Sequence, residues 1–525
     1  MTTAGSLLVL GTSSGAGKTT LVTGLCRWLA RQGVAVAPFK AQNMSLNSYV
    51  TADGGEIGRA QAVQAWAAGV EPEVAMNPVL LKPGTGGTSQ LVVLGHPAGE
   101  LGGRRGWEEK AALLDLVVEA YRSLRARHDV VVCEGAGSPA EINLRAGDIV
   151  NLGFARAAGV PAVVVGDIDR GGVFAAFAGT LALLDGPDQD LVHGFVVNRF
   201  RGDPGILSPG LAMLGAATGR PTYGVLPLVE GVAVDAEDSL DVAPEAGPGP
   251  PRGDEVLRVA VVHLPRASNL TDLDPLRAEP GVVVRLVRRP EELGDADLVL
   301  LPGTRATVAD LAWVRERGFD RALAARAARG LCVLGVCGGF QMLGTTIEDT
   351  VESGAGEVPG LGLLPLHTVF GPDKVLARPR RRLPDGAEVS GYEIRHGRVE
   401  ILGGEPLLPG EGCRVGSVAG TSWHGLFEND GWRRGYLAEV AAASGRAFVA
   451  APGTDFAAWR RARIDRLADL VADHLDTGAL LEVLEGRSGP VPRVALVTAG
   501  TGTDPGRGGV RAGAGEAVSG PGPPP

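Results

Sequence analysis

Apolar runs of strand length alternate with amphipathic stretches from residue 6 to about residue 230. The apolar runs are SLLVLG, VAVAPFK, HDVVVCEG, PAVVVGDID and HGFVVNRF, and a stretch such as TTLVTGLCRWLARQG between them has helical periodicity. Continuous valine-rich strands separated by helices are typical of a parallel sheet that helices cover on both faces. Residues 1–240 are therefore predicted to form a parallel-sheet α/β domain.

A second alternation follows a proline- and glycine-rich stretch. Residues 241–255 include APEAGPGPPRGD and are predicted to be a linker. The runs VLRVAVVHL, GVVVRLVR, ADLVLLPG and LCVLGVCGG then indicate a second α/β domain at residues 256–450. Apolar residues at helical spacing predict closing C-terminal helices at residues 451–486. Residues 487–525 contain few large apolar side chains, so we expect this Gly/Pro-rich tail to be disordered.

Composition and charge narrow the functional classes. The chain has 525 residues, which is more than one compact core usually holds. Its formal net charge of -10 disfavours nucleic-acid binding, which normally needs a basic surface. No apolar run reaches the roughly 18 to 20 residues that a membrane-spanning helix needs. The five cysteines form no C-x-x-C pair, so a disulfide framework or zinc site is not expected, and the cytoplasm is the expected location.

A glycine-rich loop follows the first predicted strand and opens a helix. It reads GTSSGAGKTT, a G-T-x-x-x-x-G-K-T pattern in which threonine occupies a position that is glycine in the strict phosphate-loop motif. Small residues let backbone N–H groups approach phosphates, and the helix N-terminus adds positive potential. Lys18 offers a charge and Thr19 can ligate Mg²⁺. The candidate ATP-binding residues of the loop are Gly11, Thr12, Gly15, Gly17, Lys18, Thr19 and Thr20.

A second strand-to-helix turn carries a cysteine. Residues 332–344 read CVLGVCGGFQMLG, and a nucleophile on such a turn projects its side chain while the flanking glycines avoid clashes. The helix N-terminus helps to stabilise a thiolate at Cys337. The N–H of Gly338 and a second donor at Gly303 in LPGT are expected to form an oxyanion hole. His424 in GTSWHGLFEND is the candidate base, and His396 in GYEIRHGR is its rival.

This cysteine–histidine pair resembles the class I, or triad-type, glutamine amidotransferases. Most members of that family carry an acidic residue two positions after the histidine, where this sequence has Leu426. Glu428 is the possible third member of the triad, and a Cys–His dyad is the alternative. The resemblance implies a class I amidotransferase-like α/β fold for the C-terminal domain and L-glutamine as a substrate.

The first domain resembles the dethiobiotin-synthetase-like branch of P-loop proteins, which activate a carboxylate by phosphorylation. That branch has a lysine after its second strand, matched by Lys40 in APFK, and an acidic residue in a motif that CEGAG matches at Glu134. Its adenine-contacting asparagine is matched by Asn198 in GFVVNRF. Thr19, Glu134 and Glu56 are the candidate Mg²⁺ ligands, and a solvated acid at a helix start is the alternative for Glu56.

Together the two halves resemble the cobyrinic and cobyric acid amide synthases. The match is most specific to the branch that makes adenosylcobyric acid, and it extends to about residue 485. It is carried by FKAQNMSLNSYVT, NPVLLKP, EGAGSPAEINL, GDIDRGGVFA, NRFRGD, LPRASNLTDLDPL, SGYEIRHG and GTSWHGLFEND. The resemblance implies amidation of the b, d, e and g carboxylates of adenosylcobyrinic acid a,c-diamide. It also implies ATP and Mg²⁺, and no tightly bound prosthetic group.

Other hypotheses remain open from the sequence. Gln42, Asn43, Ser45 and Asn47 form a polar cluster that suits a corrinoid carboxylate or amide, and a hydrogen-bonded loop is the alternative. The functional rivals are a cobyrinic acid a,c-diamide synthase, a ParA-like ATPase switch with an inactive glutaminase domain, and an enzyme that amidates a cell-wall lipid precursor. The KAQNMSLN stretch disfavours the first of these.

Overall fold

A computed structural model describes residues 3–84, 88–102, 112–229, 231 and 251–495. Most of the predicted linker therefore lies outside the described residues. The strands of the N-terminal part are β1 (Gly5–Gly11), β2 (Val36–Phe39), β3 (Gln42–Met44), β4 (Ser48–Val50), β5 (Glu56–Gly58), β6 (Val79–Pro83), β7 (Thr88–Val93), β8 (His96–Gly102), β9 (Val130–Glu134), β10 (Ala162–Asp167), β11 (Val192–Phe200) and β12 (Thr222–Pro227). Its helices are α1 (Lys18–Arg31), α2 (Arg59–Ala68), α3 (Leu114–Arg125), α4 (Leu152–Ala158), α5 (Val173–Leu183), α6 (Gly186–Gln189) and α7 (Ser208–Thr218).

Six of these strands form a parallel sheet in the order β12-β11-β10-β1-β9-β2. Leu8 and Leu10 of β1 enter one apolar cluster, whereas Leu7 and Val9 enter another. Since successive side chains of a strand point to opposite faces, the central strand is buried on both sides. The predicted parallel α/β domain is confirmed. A smaller sheet has the order β3-β6-β7-β8, and β4 pairs with β5.

The C-terminal part contains a second α/β arrangement. Its strands are β13 (Leu257–Val262), β14 (Val282–Val287), β15 (Leu298–Leu301), β16 (Cys332–Val336), β17 (Thr346–Asp349), β18 (Gly356–Pro359), β19 (Leu366–Ala377), β20 (Arg380–Arg382), β21 (Glu388–Ser390), β22 (Glu393–Ile401), β23 (Cys413–Val415) and β24 (Val418–Thr421). The helices are α8 (Asp274–Arg277), α9 (Thr307–Glu316), α10 (Phe319–Ala328), α11 (Gly338–Leu343), α12 (Asp430–Ser444), α13 (Phe456–His474) and α14 (Thr477–Leu484).

The main sheet of this part has the order β14-β13-β15-β16-β24-β23. All of its pairings are parallel except that of β23 with β24. A second, mixed sheet has the order β18-β17-β19-β22. The predicted second α/β domain is confirmed, and its parallel strands all point their carboxyl ends toward one edge of the sheet.

The last two helices pack back onto the N-terminal domain. In α1, a Cβ at Gly24 would lie 2.8 Å from the carbonyl oxygen of Leu467 in α13, so the two helices approach closely. Arg27 Nε lies 2.6 Å from Asp465 Oδ1 across the same contact. Helix α13 has 19 residues and carries several charges, and no helix in the described segments is both long and apolar enough to cross a membrane.

The stretch after these helices is ordered further than the sequence indicated. Arg220 is buried and donates hydrogen bonds to several backbone carbonyls, among them that of Pro492 at 2.7 Å. The expectation of disorder is therefore wrong for residues 487–495, because the Pro492 carbonyl accepts from a buried guanidinium and the Val494 backbone bonds to the Gln189 side chain. The rest of the predicted tail, residues 496–525, lies outside the described residues.

A buried ion pair holds α12 to the C-terminal sheet. Arg433 Nε lies 3.1 Å from Glu279 Oε2, and both side chains are fully buried. Glu279 also accepts the backbone N–H of Ala451 at 2.7 Å. Arg433 also pairs with Asp430 at 2.7 Å. Removing the arginine leaves the buried carboxylate of Glu279 without its charged partner.

We expect Arg433→Met to lower the free energy of unfolding by about 3–5 kcal/mol, as loss of one partner of a buried ion pair does. The midpoint of urea unfolding measures this change. Arg461→Met is the matched control, since Arg461 is exposed, and it should change stability by less than about 0.5 kcal/mol. Equal destabilisation by the two substitutions would contradict the prediction.

Candidate functional site

Cys337 lies on a sharp turn between β16 and α11. Its backbone has φ +50° and ψ −109°, a region that non-glycine residues rarely adopt. A Cβ at Gly335 would lie 2.7 Å from the Gly339 carbonyl oxygen, and a Cβ at Gly339 would lie 2.1 Å from that of Leu301. The turn therefore requires glycine on both sides of the cysteine, which is the geometry of a nucleophile elbow.

His424 lies between a cysteine and a carboxylate. Its Nδ1 is 2.7 Å from Asp272 Oδ2, and Asp272 Oδ1 accepts the N–H of Gly425 at 2.7 Å. The Cys337 side chain is within hydrogen-bonding reach of the imidazole, and all three side chains are buried. Burial lowers the pKa of His424, but the charges of Asp272 and Cys337 outweigh burial and raise the pKa to about 10. The site thus favours an imidazolium beside the sulfur.

The acidic partner of His424 is Asp272, so the prediction of Glu428 for this place is wrong. Glu428 Oε1 lies 3.0 Å from Arg59 Nη2 and 2.7 Å from Arg460 Nη2. Its carboxylate belongs to an ion-pair cluster between the domains. Asp272 lies in LTDLDPL, 152 residues before the histidine, and no spacing from the histidine motif points to it. In the sequence, Asp272 is marked only by its place in LPRASNLTDLDPL, one of the stretches that carry the family resemblance.

Parallel strand order explains how these residues meet. The segments that follow β13, β15, β16 and β24 supply Asp272, Gly303, Cys337 and His424 respectively. These four strands are consecutive neighbours in the sheet and run parallel. Their carboxyl ends therefore lie side by side, at the edge where α/β proteins place their sites.

The two glycines predicted for an oxyanion hole lie next to the reactive pair. A Cβ at Gly303 would come 2.7 Å from His424 Cε1, and a Cβ at Gly338 would come 2.6 Å from Thr304 Cγ2. The two glycine loops thus contact each other and the histidine. A side chain at either position would clash with these neighbours.

A cavity opens at Cys337 on the boundary between the domains. Its charged lining residues are Lys82, Arg305, Glu352, Lys374 and Arg395. Groups of both signs suit a zwitterionic amino acid such as glutamine. The rival histidine, His396, also lines this cavity, but its Nδ1 contacts the Gly371 carbonyl at 3.1 Å and burial lowers its pKa. His424 is the histidine that holds a carboxylate.

The glycine-rich loop joins β1 to α1. Gly15 and Gly17 have φ values of +71° and +103°, which side chains other than glycine rarely adopt. A Cβ at Gly17 would lie 1.9 Å from Asn198 Nδ2, and the same amide donates to the Ala16 carbonyl at 3.0 Å. Asn198, near the end of β11, therefore holds the loop in place.

Lys18 lies over this loop. Its Nζ donates to the carbonyls of Ser13 at 3.0 Å and Gly137 at 3.1 Å. A Cβ at Gly11 would lie 2.9 Å from the same Nζ. The lysine charge is thus directed at the concave side of the loop, flanked by the partly buried Thr12, Thr19 and Thr20. Such a cradle fits the phosphates of a nucleotide.

Glu134 is the centre of a polar cluster beside the loop. Its Oε1 lies 2.8 Å from Thr19 Oγ1 and 2.9 Å from Lys40 Nζ. Its Oε2 accepts from Gln64 Nε2 of α2 at 2.5 Å. The structure thus brings together three residues that the sequence singled out and adds Gln64, which had no motif to mark it.

Glu56 does not fill the place predicted for it. Its Oε1 lies 2.5 Å from Lys82 Nζ, and its Oε2 contacts Lys374 Nζ of the C-terminal domain. Burial raises the pKa of Glu56, but the two lysines outweigh burial and hold the pKa well below its ordinary value. The prediction of a Mg²⁺ ligand is wrong, because both carboxylate oxygens neutralise lysines. The alternative of a solvated acid is also wrong, since Glu56 is fully buried.

The polar cluster after Lys40 is buried as a whole. Asn43 Nδ2 donates to Gln61 Oε1 at 2.9 Å, and Ser45 Oγ bonds to both backbone groups of Asn47. The Oε1 of Gln42 has no hydrogen-bond partner among the described residues. Several polar groups of the cluster therefore bond to neighbouring protein groups, and the Oε1 of Gln42 can accept a further hydrogen bond.

Comparison with known proteins covers both halves of the chain. Residues 7–242 match the family described as the CobQ/CobB/MinD/ParA nucleotide binding domain. Residues 258–432 match the family described as the CobB/CobQ-like glutamine amidotransferase domain. These two matches confirm the two-domain resemblance.

Full-length relatives agree with the domain matches. The chain is 59% identical over 518 residues to a protein named Cobyric acid synthase from Frankia casuarinae, covering 93% of this chain and 99% of the relative. It is 58% identical over 488 residues to one from Streptomyces avermitilis, with 92% and 96% covered. It is 57% identical over 521 residues to one from Saccharopolyspora erythraea, with 97% and 99% covered. The chain belongs to the cobyric acid synthase family of glutamine-hydrolysing enzymes.

Proposed function

We propose that the protein uses L-glutamine and ATP to amidate the b, d, e and g carboxylates of adenosylcobyrinic acid a,c-diamide, which gives adenosylcobyric acid. The observation that carries the proposal is the Cys337–His424–Asp272 arrangement in a chain that also has a phosphate loop. A nitrogen donor and a device for activating a carboxylate are the two requirements of amide synthesis. The relatives named Cobyric acid synthase support the corrinoid substrate.

The C-terminal domain releases ammonia. Cys337 Sγ attacks the side-chain amide carbon of glutamine, and N–H groups at Gly338 and Gly303 stabilise the oxyanion. His424 gives its proton to the leaving nitrogen, and ammonia departs. Water then cleaves the thioester, which releases glutamate and restores the thiol. Asp272 holds His424 Nδ1 throughout, so that Nε2 faces the sulfur.

The N-terminal domain activates the acid. The substrate carboxylate attacks the γ-phosphorus of ATP, which gives an acyl phosphate and ADP. Lys18 and the N–H groups of the loop neutralise the charge that develops on the phosphates. Ammonia then attacks the acyl carbon, and phosphate leaves. Each amide therefore consumes one ATP and one glutamine. Asn198 and Lys40 complete the proposed ATP site, with Asn198 toward the adenine.

Two residues fit Mg²⁺ at this site. The Thr19 hydroxyl and a Glu134 carboxylate oxygen lie 2.8 Å apart. Adjacent ligands of an octahedral ion with bonds of 2.0–2.1 Å lie about 2.9 Å apart. No group of three or more His, Cys, Asp or Glu side chains suited to a metal occurs in the described part of the chain. Mg²⁺ is usually bound through one or two protein ligands together with waters and substrate phosphates. When bound, it supplies positive charge to the phosphates.

Corrinoid recognition is proposed at the polar cluster after Lys40. Gln42 Oε1 is a buried acceptor with no partner among the described residues, so it can accept an amide N–H of the substrate. Asn43, Ser45 and Asn47 lie in the same buried polar stretch and are proposed to contact the corrinoid with Gln42.

The remaining rivals have less support. A cobyrinic acid a,c-diamide synthase would use the same two domains on other carboxylates, but the relatives above carry the name Cobyric acid synthase. A ParA-like ATPase switch would explain the nucleotide-binding domain alone. It would leave the buried Cys337–His424–Asp272 arrangement without a role.

The product identifies the substrate. Purified enzyme with adenosylcobyrinic acid a,c-diamide, glutamine, ATP and Mg²⁺ should give successive products, each with the mass change of one acid converted to an amide. Mass spectrometry measures the series. Cobyrinic acid serves as the control substrate, and amidation that occurs only on it would favour the diamide synthase. Absence of both glutamine and ATP consumption would overturn the proposal.

Comparing glutamine with ammonia as the nitrogen source distinguishes the activities of the two domains. Cys337→Ala should abolish glutamine-dependent amidation and retain amidation with ammonium salts, because free ammonia bypasses the thiol. Lys18→Ala should abolish amidation with either source, because both need the acyl phosphate. Initial rates of ADP and amide formation measure both effects. Equal loss with both sources in Cys337→Ala would mean that the cysteine has a structural role.

The carboxylate behind the histidine sets the protonation state of the site. Asp272→Asn should lower kcat for glutamine hydrolysis by about 10²–10⁴-fold, because the uncharged asparagine side chain cannot stabilise the imidazolium as the carboxylate does. Asp272 raises the pKa of His424. Its loss should therefore move the alkaline limb of the kcat/KM profile to lower pH. Glu428→Gln is the matched control, and it should retain the wild-type profile. A larger effect at Glu428 than at Asp272 would contradict the assignment.

A further inference from the structure

Asn269 has an unusual backbone for its residue type. Its φ of +54° and ψ of +40° are left-handed, and it is one of four non-glycine residues with positive φ among the described residues. Cys337 is another. Asparagine tolerates this conformation better than most residues, yet such positions cluster where function demands them. The site described above does not account for this one.

The turn that carries Asp272 begins at the left-handed residue Asn269. Asn269 is the N-cap of the 3-10 turn Leu270–Leu273. Its carbonyl accepts the backbone N–H of Asp272 at 3.1 Å. The carboxylate of Asp272 then reaches His424 and the N–H of Gly425. The left-handed residue therefore sets the direction from which the acid approaches the imidazole.

The side chain of Asn269 is held by the other domain. Its Oδ1 accepts the backbone N–H of Ser48, in β4, at 2.8 Å. Both residues are buried, at 4% and 0% exposure, so the hydrogen bond is shielded from water. The contact therefore links the nucleotide-binding domain to the turn behind the glutaminase histidine.

Ser48 is itself fixed by charged groups of the interface. Its Oγ accepts from Lys82 Nζ at 3.1 Å, and Lys82 pairs with Glu56. Glu56 in turn contacts Lys374 of the C-terminal domain. Lys82, Lys374 and Asn269 all line the cavity that contains Cys337. The hydrogen bond to Asn269 is thus part of a buried polar contact between the domains, at the place where glutamine is proposed to bind.

We propose that Asn269 is a positioning residue for glutamine hydrolysis, through which the docked nucleotide-binding domain holds Asp272 against His424. The inference rests on the proposed function and adds a requirement to it. The Cys337 site reaches full activity only when Ser48 is in place. Ammonia is therefore released at full rate only in a molecule whose two domains are docked.

Three substitutions distinguish the role of the left-handed backbone at Asn269 from the role of its side-chain acceptor. Asn269→Gly keeps the left-handed backbone and removes the acceptor, Asn269→Asp keeps both, and Asn269→Ala removes the acceptor and strains the backbone. We expect Asn269→Gly to lower kcat for glutamine hydrolysis by about 10- to 100-fold, because small displacements of catalytic groups are costly. KM for glutamine should change little. Asn269→Asp should restore most of the rate, and Asn269→Ala should be the slowest.

Ammonia-dependent amidation distinguishes positioning from folding. It bypasses the histidine, so all three variants should retain the wild-type rate with ammonium salts. Glu71→Gln is the matched control, because it removes the interdomain ion pair with Arg378 and leaves the Asn269 turn untouched. It should retain glutamine hydrolysis. The thermal midpoint of each variant reports on folding.

The outcomes separate the two proposals. A wild-type enzyme that hydrolyses no glutamine overturns the proposed function itself. If the wild type is active, a wild-type kcat in Asn269→Gly overturns only the positioning role. Equal loss of ammonia-dependent activity in Asn269→Gly, or failure of Asn269→Asp to exceed Asn269→Gly, also overturns it.

Discussion

The contact between Asp272 and His424 is the interaction on which the glutaminase site depends. A buried imidazole tends to lose its proton, and a carboxylate 2.7 Å away reverses that tendency. The acid, the cysteine and the histidine come from segments far apart in the chain. They meet because the strands before them are parallel neighbours, so that their carboxyl ends share one edge. The order of the strands in the sheet therefore brings the acid, the cysteine and the histidine together.

The N-terminal domain repeats this construction with different chemistry. The loop after β1, Lys40 after β2, Glu134 at the end of β9 and Asn198 near the end of β11 lie at one edge of a parallel sheet. Here the edge presents backbone N–H groups and lysines in place of a thiol. One sheet edge thus suits an anionic nucleotide and the other suits a nucleophile and its acid–base partner, because side chains after the strands vary while the sheet does not.

Helix α2 connects the polar cluster beside the phosphate loop to the ion-pair cluster between the domains. Gln64 in its middle donates to Glu134 beside the phosphate loop, and Arg59 at its start pairs with Glu428 shortly after His424. Glu56, which forms two buried ion pairs, lies shortly before this helix in the chain. Because a helix is stiff over this length, α2 links the Glu134 cluster rigidly to the ion pair between Arg59 and Glu428. Glu428 and Glu56, which the sequence suggested for catalysis and metal binding, instead join the domains.

The sequence by itself determined the two α/β domains, the family, the phosphate loop, the cysteine elbow and the histidine. The domains, the loop and the elbow depend on periodicity or on a conformation specified within a few residues, such as glycine beside Cys337. The family and the histidine were indicated by the resemblance of short motifs. Tertiary structure decided the partners of three carboxylates: the histidine for Asp272, lysines for Glu56 and arginines for Glu428. An ion pair is selected by distance in space and by the exclusion of water. Neither quantity is present in the spacing of residues along the chain.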